Sequence, residues 1–123
     1  MKKIILLLTV PFLAATVNAQ LSNTKWNGEL NIQGGMSTIF NFSNDTLDVV
    51  SNDNNQSLET MKYTVKDSLL TLQKLYGSSQ CDTSTPGVYK FQIAENELKL
   101  TLVSDECPDR AEAIGTMKLN KQE

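Results

Sequence analysis

The chain has no histidine. That absence closes several chemistries: imidazole-ligated zinc, Ser–His and Cys–His nucleophile pairs, and imidazole switching near neutral pH. Positive charge is also scarce. Eleven basic side chains face 14 acidic ones, a formal charge of -3. Without Lys2 and Lys3, 9 basic groups face 14 acidic ones, which gives -5. A net acidic surface argues against nucleic acid or an anionic membrane as the partner. No segment after Gln20 is apolar for long enough to span a bilayer as a helix. None carries a sustained helical period either. What is present suits one folded domain: 40% hydrophobic and 20% charged residues, too apolar for disorder.

The N-terminus reads as an export signal. Met1-Lys2-Lys3 is a basic start, residues 4–17 are mostly apolar, and Val17-Asn18-Ala19 offers a signal-peptidase site. Cleavage after Ala19 leaves a domain of residues 20–123, soluble and outside the cytoplasm, in the periplasm or the medium. The competing reading is a membrane anchor. An apolar stretch this short, with Pro11 inside it, falls below the roughly 20 residues a span needs. No cysteine follows it, so it does not resemble a lipoprotein leader.

Cys81 and Cys107 are the only thiols. In a small exported chain they read as one disulfide. Loop-closure entropy assigns such a bridge about 3.5 kcal/mol. A metal pair or catalytic thiol is the alternative. The wide spacing and the lack of any activating base disfavour both.

The rest of the chain is a series of short alternating runs separated by turn residues, which predicts antiparallel strands. Strands are expected over 25–33, 36–42, 46–51, 58–66, 69–75, 88–94, 97–103 and 114–120. Gly34-Gly35, Asp67-Ser68 and Glu95-Asn96 are expected as tight turns. A single helical turn is expected over 107–113, with Pro108 at its first position and Asp109 at its positive end. Leu98, Leu100 and Leu102 form the cleanest alternation. Eight neighbouring strands leave two edges and an apolar face exposed unless the sheet closes on itself. The expected fold is therefore all-β: a single eight-stranded antiparallel up-and-down barrel with one short helical turn before the last strand. A two-sheet sandwich is the alternative.

Three stretches carry a family resemblance: Thr24-Lys25-Trp26-Asn27-Gly28, Gly87-Val88-Tyr89-Lys90-Phe91, and Ser104-Asp105-Glu106-Cys107-Pro108-Asp109-Arg110. With them the chain resembles the lipocalin-like families of exported bacterial proteins within the calycin group of β-barrels. The resemblance implies that Trp26 packs at a closed barrel end beneath Arg110, as a guanidinium over an indole. The other reading pairs Arg110 with Asp105 or Glu112.

The inward residues Phe40, Phe42, Met61, Tyr63, Tyr89, Phe91 and Leu100 are the candidate lining of a ligand pocket, with Tyr63 and Tyr89 as polar handles. Solid core is the alternative. No catalytic pair, nucleophile or phosphate loop is visible, so an enzyme is not expected, and no cofactor or metal is implied. Asp82, Asp105, Glu106 and Asp109 gather near the expected disulfide, but their spacing matches no calcium loop. Two roles remain. One is a monomeric binder of a small apolar or amphipathic molecule. The other is a module that meets an extracellular protein, such as an enzyme it inhibits, through the loop between Gly77 and Gly87.

Overall fold

The computed structural model describes residues 20–122; the expected signal peptide lies outside the described residues. Eight strands form a closed barrel in which each pairs antiparallel with its sequence neighbours and the last returns to the first. They are β1 (Thr24–Leu30), β2 (Met36–Phe42), β3 (Thr46–Ser51), β4 (Ser57–Lys66), β5 (Leu69–Gly77), β6 (Pro86–Ala94), β7 (Glu97–Asp105) and β8 (Met117–Lys121). One helix, α1 (Pro108–Ile114), lies between β7 and β8. The up-and-down barrel expected from the alternation is thus the fold.

Alternation sorts the side chains. Trp26, Phe40, Phe42, Leu47, Val49, Met61, Tyr63, Leu70, Leu72, Tyr89, Phe91, Leu98, Leu100 and Leu119 are buried in one core. Lys62, Lys66, Lys90, Lys99 and Lys118 point outward and are exposed. A barrel in lipid has the opposite arrangement, with an apolar band outside. No helix among the described residues is long and apolar enough to cross a membrane.

Several local expectations need correction. The first hairpin is not a two-residue turn. β1 stops at Leu30, and Gln33, Gly34 and Gly35 all take positive φ in a wider loop closed by Gly35 N–H on the Ile32 carbonyl. The helix starts at Pro108 with Cys107 as its N-cap, so β8 begins at Met117 and not at Ile114. Leu102 is 36% exposed although it pairs with the buried Tyr89, beside the register shift that leaves Val103 without a partner in β6.

Ring closure is uneven. β1 meets β2 at seven paired positions but meets β8 at only two, Trp26 with Lys121 and Asn27 with Asn120. Gln122 N–H adds a bond to the Lys25 carbonyl at 2.9 Å.

The two barrel ends differ. Where β1 begins, Leu21 is fully buried, and Ser22 Oγ donates to Asn44 Oδ1 at 3.0 Å. Thr24 Oγ1 donates to the Leu21 carbonyl and accepts from Trp26 Nε1 at 2.8 Å. Phe42 and Tyr63 meet edge to face with centroids 5.1 Å apart, and Tyr63 OH donates to the Ser43 carbonyl at 2.6 Å. Side chains fill this end. The opposite end, where β7 passes through α1 into β8, carries the candidate site.

Candidate functional site

Cys81 and Cys107 are joined, with Cα atoms 5.4 Å apart. The bridge ties the β5–β6 loop, residues 78–85, to the start of α1. Asp109 Oδ2 accepts from Gln80 N–H at 3.0 Å and strengthens the same junction. At the other end of the helix, Asn31 N–H donates to the Ala113 carbonyl at 2.8 Å. Gly115 N–H closes the last turn on the Ala111 carbonyl at 2.9 Å. A seven-residue helix is too short to be stable alone. Here it is held at both ends by the barrel rim.

Arg110, Ala113 and Ile114 share one face of α1, since residues three and four apart are neighbours on a helix. Arg110 is only 4% exposed. Its Nε donates to Asp105 Oδ2 at 2.7 Å, and its Nη2 donates to Asp105 Oδ1 at 2.9 Å and to the Thr85 carbonyl at 2.8 Å. Asp105 is fully buried at its side chain and also accepts from Tyr89 OH at 2.6 Å and Cys107 N–H at 2.9 Å. Gly87 makes the cluster fit: a Cβ there would lie 2.3 Å from Asp105 Oδ2 and 2.8 Å from Arg110 Nε.

Burial pushes the Asp105 carboxyl up, but hydrogen bonds from Arg110, Tyr89 and Cys107, with the guanidinium charge, hold it below the usual carboxylate range. Tyr89 moves the other way: burial and the adjacent Asp105 raise its hydroxyl well above the ordinary phenol value.

The expected Arg110–Trp26 stack is not formed. Arg110 belongs to the helix end and Trp26 to the other, and Lys121 Nζ lies 6.0 Å from the Trp26 ring. Of the two pairings weighed for Arg110, the one with Asp105 is present.

Beneath α1 a cavity of about 360 Å³ opens toward solvent. Leu30, Phe40, Val49 and Met61 line it from β1–β4, and Ala113 and Ile114 from the helix. Ile32, Met36 and Leu58 extend the apolar wall. The polar wall residues are Glu59, Ser78, Ser79, Asp109, Arg110 and Glu112. Glu59 is fixed by Ser79, whose N–H donates to Oε1 at 3.1 Å and whose hydroxyl donates to Oε2 at 2.5 Å.

Of the seven candidate lining residues, Phe40 and Met61 are in the wall. Phe42 and Tyr63 pack at the filled end, Tyr89 is held by Asp105, and Phe91 and Leu100 are core on β6 and β7. Met36, Val49 and the helix face were not among the candidates. Alternation puts Met36 and Val49 inward, and the 110, 113, 114 spacing marks the helix face, so the signals were present. Among the described residues, no three His, Cys, Asp or Glu gather as a metal site. Asp105 is taken by Arg110, and Asp109 accepts from Gln80 N–H.

Comparison with family models, curated proteins and solved structures gives no match to this chain.

Proposed function

We propose that this protein is an exported, lipocalin-like binder that holds a small apolar or amphipathic molecule in the cavity under α1. The observation that carries the reading is that cavity: about 360 Å³, apolar at its floor, polar at its rim, at the end opposite Trp26. An apolar cavity of about 150 Å³ already takes a benzene, and ligand pockets begin near 300 Å³. The polar rim suits a molecule with one wet end. The intramolecular disulfide accords with an oxidising compartment. Intact mass of the protein isolated from its own cells tests export, which requires a chain beginning at Gln20.

A neutral naphthylamine dye that brightens in apolar surroundings tests the binding role. The expected outcome is saturable binding that Met36→Trp and Ala113→Trp each weaken at least about tenfold. Both positions line the cavity and are only partly buried, so the fold has room for the change. Unchanged affinity in both folded variants would remove the cavity from consideration.

The second reading, a protein-interaction module, draws on Tyr76 and Leu75, which are 66% and 43% exposed just before the 78–85 loop. It requires Tyr76→Asp to weaken a partner complex while dye affinity stays constant.

A further inference from the structure

The cavity under α1 has an apolar floor and a mouth of one sign. Phe40, Val49 and Met61 lie in the floor, while Glu59, Asp109 and Glu112 belong to the wall. Glu59 comes from β4 and is held by Ser79. Asp109 and Glu112 come from the helix, where a spacing of three makes them neighbours on one side. Asp109 and Glu112 are exposed and Glu59 is half-buried, so the three carboxylates stand where the space meets water.

No cation answers them. Arg110 is the only basic residue in the wall, and its guanidinium is spent on Asp105, the one ion pair among the described residues. Glu59 and Asp109 accept hydrogen bonds, but from Ser79 and from the Gln80 N–H, neutral donors that leave the charge in place. Lys74 stands behind Ser79 with Nζ on its carbonyl at 2.8 Å, and it makes no ion pair with any of the three. The connections between strands at this end add Asp53, Asp82 and Glu106 and no further base. Like charges three apart on a helix oppose folding when nothing offsets them. Charge of one sign around a cleft with apolar walls concentrates the opposite sign there.

We infer that the cavity takes a cationic amphiphile: an apolar chain on Phe40, Val49 and Met61, with an ammonium group at the mouth among Glu59, Asp109 and Glu112. This rests on the ligand-binding reading above and narrows it to one sign of head group. The cavity supplies the site and holds the chain; the carboxylates choose the head. An ammonium brings both charge and donors to them. A carboxylate head meets like charges and no free cation. An alcohol head gains no charge attraction.

The test begins with the unmodified protein. Decylamine, decanol and decanoate, at neutral pH and below their micelle thresholds, compete for the bound neutral dye at low salt. Decylamine is expected to bind about fivefold tighter than decanol, the gain from a few exposed charge pairs, and at least about tenfold tighter than decanoate. Both gaps should narrow as added salt screens the mouth. Glu112→Gln should cut the amine-to-alcohol ratio about twofold. Glu97→Gln, an exposed change where β7 starts at the filled end, should leave that ratio as it is. An amine no tighter than the alcohol, or a decanoate tighter than the amine, overturns the cationic head group. Equal effects of the two variants overturn its place at the mouth, because net charge would then account for the preference. Failure of the dye itself to bind defeats the ligand-binding reading. Dye binding with no preference for the amine defeats this inference alone.

Discussion

One barrel end is closed by bulk and the other by a strut. Where the chain enters, Leu21, Trp26, Phe42 and Tyr63 fill the interior, with Trp26 Nε1 bonded to Thr24 and Tyr63 OH to the Ser43 carbonyl. At the helix end a single turned segment crosses the opening and leaves space beneath it. Its position depends on partners distant in sequence: Cys81, Thr85, Tyr89 and Asn31. Eight strands this short can fill their own interior, as the first end shows. At the second end a disulfide and a buried ion pair, together with Ile114 in the core, hold the helix above that space.

The largest effect that would sharpen this contrast is expected at Trp26. Trp26→Ala at the filled end should cost about 3–5 kcal/mol, a large part of the 5–15 kcal/mol typical of a domain. Met36→Ala, in the cavity wall, should cost about 1 kcal/mol or less, since little packing is lost there. Urea unfolding of both variants checks the pair; equal losses would erase the distinction between the ends.

Next in size is the bridge. Cys81→Ser with Cys107→Ser should lower stability by about 3.5 kcal/mol on the loop-entropy account. Dye affinity should fall as well, because the helix loses its anchor. Trp26 fluorescence of the folded variant should stay as it was. A changed Trp26 signal would mean that the two ends are coupled more tightly than their contacts indicate.

Gly87→Ala comes third, at about 1–3 kcal/mol, because the added methyl meets Asp105 and Arg110. A neutral result in thermal melting would show that the ion pair can move aside at no cost.

The smallest effect is on pH. Asp105 has a depressed carboxyl in the folded state, so its stabilisation is complete above the unfolded value of about 4 and drains away as pH falls through the folded value. Tyr89 has a raised hydroxyl, so stability is complete below about pH 10 and declines above it as the unfolded chain loses the proton first. Melting temperature against pH should show a plateau with both limbs. Asp105→Asn should flatten the acid limb; an unchanged acid limb would assign it to other carboxylates.

Much of this architecture was legible along the chain, because period-two alternation is a local signal. Phe40 and Phe42, Met61 and Tyr63, and Leu98 and Leu100 each declared their inward face two residues at a time. Leu102 misled for the same reason. Its pattern continues unbroken, while the register slip beside it belongs to the pairing with β6. Arg110 also shows the limit. Its partner Asp105 lies five residues upstream and was within reach of local reading. Its distance from Trp26 depends on which end of a closed ring each residue occupies. The cavity was half legible. Alternation marks what faces inward, yet whether an inward side chain meets a neighbour or a void depends on volumes summed over several strands, and Phe40 and Phe42 fall on opposite sides of that divide.

The thin join between β1 and β8 bears on how the molecule assembles. Every other strand pair links strands that follow one another along the chain. This one links Trp26 and Asn27 to Lys121 and Asn120, almost the whole length of the domain apart, with little ladder to repay the lost chain freedom. The hoop is therefore expected to fasten after its staves are set. Amide hydrogens along this clasp should exchange sooner than those between β6 and β7.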